Sequence, residues 1–223
     1  MRYFKVTTMP TDTAFAFASD LPSGFRVPSY KLAEGEEVVD RDAYPPNAHV
    51  IMDGSFGRSL GGIIGNANSL LIVSRPIQEA IARVQPNGIQ YLPLAIHNHK
   101  RRLASSDYYI VNPLGDLDCA DLKASEIEYL DGDVVGVDSL VLSEAKLKQA
   151  PHLFRVHEDP TIYVISHVLL QAWIDLVPRP KNVYVDELRV VPGDGTRPGK
   201  SADALASNRS KAETKSGPVA KRS

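Results

Sequence analysis

Carboxylates dominate the one stretch of this chain whose residue types and spacing could carry chemistry. Between Asp107 and Asp138 there are nine acids and a single base, Lys123. Such a run is most often a solvated face, but it can also hold a cation or attract a basic partner, because complementary charge steers encounter and disfavours wrong partners. The first aspartates lack the mid-loop glycine and terminal glutamate of an EF-hand loop. The concentration of charge favours a partner-binding surface, with the solvated face as the alternative, made of Asp116, Asp118, Asp121, Glu126, Glu128, Asp131 and Asp133.

Histidine and glycine residues form a second candidate site. His97 and His99 flank Asn98 and could present two imidazoles, which are good zinc ligands. No third ligand is identifiable nearby and the bases at 100–102 would repel a cation, so a polar loop is the preferred interpretation. The five glycines of Gly54–Gly65 match neither dinucleotide nor phosphate-loop patterns, which predicts a flexible loop. An enzyme of unrecognised type that uses Gly54–Gly65 with His97 or His99 is the alternative function.

Three further motifs give no sign of catalysis. Neighbouring carboxylates would raise the thiol pKa of Cys119 and disfavour the nucleophilic thiolate. The segment 195–201 resembles a phosphate loop, but Asp194 stands where the first glycine is required. Ser143 and Lys146 have the spacing of serine acylases without the partner motifs, so we expect a short helix with Lys146 solvated. We therefore predict no catalytic residue, no metal and no cofactor.

Two segments repeat one order of strand, serine, helix and strand. The apolar run 70–73 predicts a strand buried on both faces, and Ser74 then occupies a helix N-cap position. Residues 162–165 and Ser166 repeat this pattern. The apolar helix positions correspond at a constant offset of 92 residues: Ile77, Ala80, Ile81 and Val84 map onto Leu169, Ala172, Trp173 and Leu176. Either a duplication or the general requirements of any capped amphipathic helix would give this pattern.

The remaining sequence bounds the class of protein. We expect an α+β fold of mixed sheets with a few short helices, divided into an N-terminal part (1–98), a polar connector (95–106), a second α+β domain (107–191) and a disordered tail (192–223). The tail carries seven bases and three acids, so the remainder is acidic. A single cysteine and the lack of a signal-peptide or membrane-spanning pattern predict a cytoplasmic protein without a membrane partner. The tail has no aromatic residue for base stacking, which argues against direct nucleic-acid binding.

Residues 70–187 resemble a known family, on six stretches of sequence. The stretches are 71–74, 90–94, 108–114, 116–121 with Ser125 and Glu126, 153–156 and 162–166. They are similar to the eleventh immunity-protein family of bacterial polymorphic toxin systems, first catalogued in myxobacteria as a domain of unknown function. That family often ends in a Thr-Gly-aromatic segment, and 178–183 replaces it here.

The resemblance implies a cytoplasmic antitoxin that binds a co-encoded toxin domain and blocks it, with no enzymatic activity of its own. Many toxins of these systems are nucleases with basic clefts, which an acidic inhibitor can occupy as a phosphate mimic. The expected partner is thus a cognate, basic, nuclease-type toxin in competition between bacteria. A scaffold module without a toxin partner is a further alternative.

Overall fold

The computed structural model describes residues 1–9, 12–26, 29–39, 44–131 and 133–193. Within these ranges the chain forms thirteen strands and three short helices, so the predicted α+β class with mixed sheets is confirmed. No helix in these ranges is long and apolar enough to cross a bilayer. The predicted disordered tail lies outside the described residues from 194 onward, as does the phosphate-loop-like segment.

Sheet one contains six strands and belongs mainly to the N-terminal half. Its strands are, in spatial order, β2 (Phe17–Ala18), β4 (Ile63–Asn66), β5 (Leu71–Ser74), β7 (Leu103–Pro113), β6 (Ile89–His97) and β3 (His49–Ile51). The two edge strands run parallel to their neighbours and the inner strands are antiparallel. Helix α1 (Ser29–Ala33) precedes β3, and helix α2 (Arg75–Val84) follows β5.

Sheet two contains five strands and combines the N-terminus with the C-terminal half. Its spatial order is β10 (Val141–Ser143), β13 (Val185–Val191), β1 (Tyr3–Val6), β12 (Tyr163–Ser166) and β11 (Leu153–Arg155). Helix α3 (His167–Ile174) follows β12. Strand β1 pairs with β12 on one side and β13 on the other, so the first residues of the chain lie in the middle of this sheet.

The two sheets share one topology. The strands β4, β5, β7, β6 and β3 occupy the same relative positions as β11, β12, β1, β13 and β10, and the last pair is parallel in both sheets. Tyr108 of β7 pairs with Ser74 and Leu94, and Tyr3 of β1 pairs with the equivalent residues, which are Ser166 and Leu188. The two predicted strand–serine–helix–strand units are confirmed. The matching registers favour duplication over coincidence, with β1 supplying the middle strand of the second copy.

Helices α2 and α3 lie between the sheets in one shared core. Alternate residues of β5, such as Leu71 and Val73, face this layer, and Tyr163 and Ile165 of β12 face it from the other sheet. Two outer cores cover the far faces of the sheets. The two helix starts differ in detail, because the Ser166 hydroxyl accepts the N–H of Leu169 whereas Ser74 makes no side-chain cap bond.

Arg155 joins the two sheets, and among the described residues it forms no ion pair. The side chain is fully buried and stacks on the ring of Tyr163 with 4.4 Å between the guanidinium carbon and the ring centre. Its N–H groups donate to oxygens of helix α1, of the end of β7 and of a surface loop, namely Leu32 O (2.7 Å), Ala33 O (2.9 Å), Asn112 Oδ1 (3.2 Å), Pro113 O (3.2 Å) and Pro160 O (2.7 Å). The delocalised fork of arginine suits this arrangement better than a lysine ammonium would.

The segment 95–106, predicted as a polar connector, contains regular structure. These residues form the ends of β6 and β7 and the turn between them, because the Asn98 side chain accepts the N–H groups of Lys100 and Arg102. The division into parts 1–98 and 107–191 stays a prediction about folding units. The structure adds that β6 and β7 are neighbours in one sheet while β1 belongs to the other.

Candidate functional site

The predicted acidic residues lie in two places on the side of the molecule that bears sheet two. Asp116, Asp118 and Asp121 belong to a loop beside β11 and β10, through bridges of Leu117 with Val156 and of Ala120 with Leu142. The other four lie on a separate two-stranded sheet formed by β8 (Glu126–Leu130) and β9 (Asp133–Ser139). We call this two-stranded sheet the acidic ribbon.

The loop aspartates have partners within the protein. Asp116 Oδ1 lies 2.9 Å from His157 Nδ1, and this hydrogen bond raises the pKa of His157 above its usual value. Asp118 accepts from Lys146 Nζ at 2.6 Å, and the same ammonium donates to Ala120 O at 3.0 Å. The expected solvation of Lys146 was therefore wrong, and the predicted short helix at 143–146 is the end of β10 followed by a turn.

Asp121 has a structural role. It is buried, and its Oδ1 accepts the N–H groups of Lys123 and Ala124 at 3.0 Å each, which holds the turn that leads into β8. A short aspartate side chain that binds backbone two or three residues ahead is typical of such turns. Asp121 is thus not exposed to a partner in this structure, and the loop contributes Asp116 and Asp118 to the surface.

The acidic ribbon is an element that the sequence interpretation missed. Leu130 pairs with Asp133, and Asp131, which follows Leu130, has a positive φ of 52°. Asp-Gly between alternating apolar and polar residues is the strongest short-range hairpin signal, so the sequence of residues 126–138 predicts a hairpin. The many charges of the segment make this alternation hard to see.

Two β-bulges determine which side chains the ribbon presents outward. Glu128 opposes Gly136 and Tyr129 opposes Val134, so Val135 is an extra residue on β9; Asp138 is extra in the same way beside Ser139. An extra residue in a bulge re-aims its side chain relative to the regular alternation. The result is one exposed face of Glu126, Glu128, Leu130, Asp133, Val135 and Asp138, whereas Ile127, Tyr129, Val134 and Val137 on the other face are half-buried.

The ion pairs of the described part of the structure all lie outside the ribbon. Ion pairs occur at Asp107, Asp116 and Asp118, and also at Glu36 and Glu187. Within the described ranges none involves a carboxylate of the ribbon. The ribbon therefore presents uncompensated negative charge to solvent.

The glycine and histidine residues of the alternative site have structural contacts of their own. Glycine at 57 and 62 is required by packing, because a Cβ there would lie 1.9 Å from Ala14 O and 2.7 Å from Pro180 Cβ respectively. The loop also bonds to its surroundings, for example from Gly62 N to Lys181 O at 2.6 Å, so the expected flexible loop is a packed one. His97 stacks on His49 of the neighbouring strand, with ring centres 4.2 Å apart.

The part of the chain that the structure describes shows neither a metal site nor a reactive thiol. No group of three or more histidine, cysteine or acidic side chains there could hold a metal ion. Cys119 is buried, and burial together with Glu158 and Asp118 raises its pKa to about 12. A thiol with that pKa is not a nucleophile near neutral pH.

These observations describe a class: a two-sheet α+β protein whose most distinctive surface is an acidic ribbon. Comparison with family models then identifies the family. The Immunity protein family (Imm11) model matches residues 9–183, which is most of the chain, and the protein belongs to that family. The predicted resemblance is confirmed, and the match extends further toward the N-terminus than residues 70–187. Comparison with curated proteins gives no match.

Proposed function

We propose that this protein neutralises a cognate bacterial toxin domain in the cytoplasm by binding it one-to-one through its acidic surface, without turning over a substrate. Family membership supports an immunity role. The observation that carries the finer proposal is the row of exposed, unpaired carboxylates on the acidic ribbon. Such a row would attract a basic surface and repel nucleic acid.

The proposed surface contains six of the predicted residues. Glu126, Glu128, Asp131 and Asp133 form its projecting part, and Asp116 and Asp118 extend it toward β11. We propose that the toxin is a nuclease, because a cleft that binds phosphates is rich in lysine and arginine. The carboxylates would occupy the positions that phosphates take in the cleft, so that the bound toxin cannot reach its substrate.

The test compares two variants with equal change in net charge. The ribbon variant carries Glu126→Gln, Glu128→Gln, Asp131→Asn and Asp133→Asn. The control variant carries Asp20→Asn, Glu34→Gln, Glu37→Gln and Glu79→Gln, at exposed positions on other elements. The probe is the toxin domain encoded by the neighbouring gene, with its catalytic residue replaced so that it can be purified.

We expect the ribbon variant to associate about 10-fold more slowly at low ionic strength, since steering of charged partners spans roughly 10-fold to 1,000-fold in rate. The difference should shrink at about 0.15 M salt, where the screening length is roughly 8 Å. The control variant should keep the wild-type rate. Equal rates for both variants would show that the ribbon charge has no part in binding. Co-expression with the active toxin extends the test to cells, where wild-type protein should restore growth.

A further inference from the structure

Two large apolar side chains lie on the ribbon's exposed face, toward the end where Leu130 pairs with Asp133. Leu130 is 64% exposed and Val135 is 58% exposed, so neither stabilises the protein by burial. Leu130 is the last residue of β8 and Val135 is the extra residue of the first bulge, which places both on the side of Glu128 and Asp133. The bulge thus adds an apolar side chain to the exposed face. That side chain would contribute to the free energy of binding only if a partner removed it from water.

The exposed face combines apolar and charged residues, as protein interfaces do. Four carboxylates share this face: Glu128 and Asp133 lie next to the apolar residues, and Glu126 and Asp138 lie further along the ribbon. Interfaces generally have a desolvated apolar centre and a polar rim that stays in contact with water. Leu130 and Val135 would supply the apolar part of such an interface and the carboxylates its polar rim.

Charge determines which kind of partner fits this face. Nucleic acid would bring phosphates against the four carboxylates, and a second copy of the chain would bring its own carboxylates against them, so both are repelled. A protein surface with an apolar depression among lysine and arginine residues is complementary in both respects. The basic toxin of the proposed function is a partner with this chemistry.

We infer that the exposed face of the acidic ribbon is the docking element for the toxin, with Leu130 and Val135 inserted in an apolar depression and the four carboxylates paired with surrounding bases. This inference rests on the proposed function and adds a division of roles to it. Buried anchors chiefly set the dissociation rate, whereas rim charges chiefly set the association rate and its salt dependence.

The experiment removes the apolar character of these two positions and leaves every charge in place. The test variant carries Leu130→Ser and Val135→Thr, and the control carries Leu103→Ser and Val39→Thr at positions that are 62% and 83% exposed. Both pairs change the same chemistry at exposed sites, where effects on stability are usually within about 0.5 kcal/mol. Binding kinetics with the inactivated toxin domain, measured by surface plasmon resonance, provide the readout.

We expect the test variant to dissociate at least about 10-fold faster than wild type, as is typical when interface anchors are truncated, with an association rate changed less than about 3-fold. The control should match wild type. A variant with Leu130→Met and Val135→Ile should dissociate as slowly as wild type, because it keeps the apolar character.

Two negative results have different meanings. If wild-type protein binds the toxin and the test variant dissociates as slowly as the control, the docking inference is wrong and the proposed function stands. If wild-type protein does not bind the toxin, the proposed function fails and the docking inference fails with it. Circular dichroism and thermal unfolding of each variant establish that the compared proteins are folded.

Discussion

Replacing Arg155 with methionine should destabilise the protein more than any surface change considered above. The methionine keeps an apolar stem beside Tyr163 but removes the guanidinium N–H groups that donate to five oxygens. Those oxygens belong to α1, to the end of β7 and to the loop at Pro160, so the bonds connect three parts of the chain. The change tests whether this side chain joins the sheets.

The size of the effect follows from the balance of two contributions. A buried acceptor that loses its donor costs about 1 to 3 kcal/mol, but removing the charge also removes its own desolvation cost. Leu32 O keeps a second donor, the N–H of Gly35 at 3.3 Å, which limits the loss there. Because several acceptors lose a donor at once and the relieved desolvation cost offsets only part of that loss, we expect Arg155→Met to lower the free energy of unfolding by about 3 to 5 kcal/mol.

Urea denaturation monitored by circular dichroism measures this loss directly. The control is Arg83→Met, because Arg83 is exposed in the last turn of α2 and its replacement should change the free energy of unfolding by less than about 0.5 kcal/mol. Arg155→Lys should also destabilise, since three donors on a flexible stem cannot reproduce the planar fork. A loss below about 1 kcal/mol for Arg155→Met would refute the proposed role of this side chain.

Three further predictions concern other parts of the protein. Asp116→Asn should lower the pKa of His157 toward its usual value. The stability that the pair adds is complete below that usual value and is lost as the pH rises through the raised pKa. An NMR titration in which Asp116→Asn leaves the pKa of the imidazole unchanged would contradict this. Cys119, whose pKa is about 12, should react with a thiol reagent only at the rate of unfolding, and rapid labelling of native protein would show that the thiol is accessible. Deleting residues 1–8 should prevent folding because β1 lies between β12 and β13, whereas a cooperative unfolding transition in the shortened chain would show that sheet two does not need it.

Local patterns in the sequence were sufficient for the two repeated units. Burial can be predicted from the apolar run before Ser74 and from the helical stripe of Ile77, Ala80 and Ile81. A strand inside a sheet needs a continuous apolar run, and a helix packed on a sheet needs apolar residues at helical spacing. The second unit follows from the same rules. The strand that the pattern requires after the second helix is β13 at Val185–Val191.

Pairing between distant residues was not predictable in the same way. Nothing local in Tyr3–Val6 indicates that this strand separates β12 from β13, since strand order depends on contacts across more than 150 residues. The burial of Asp121 was missed for a related reason, because its charge suggested exposure while its backbone bonds require a turn that only the folded chain shows. The bulges of the ribbon depend on register, which composition does not report.

Titration of active toxin with the purified protein tests the central claim most directly. If the protein acts by covering the toxin's working surface, residual toxin activity should fall linearly and reach its minimum at one molecule of this protein per molecule of toxin. Full loss of activity at a small fraction of that ratio would mean that the protein modifies the toxin catalytically. Activity that stays unchanged at excess protein would mean that this toxin is not its partner.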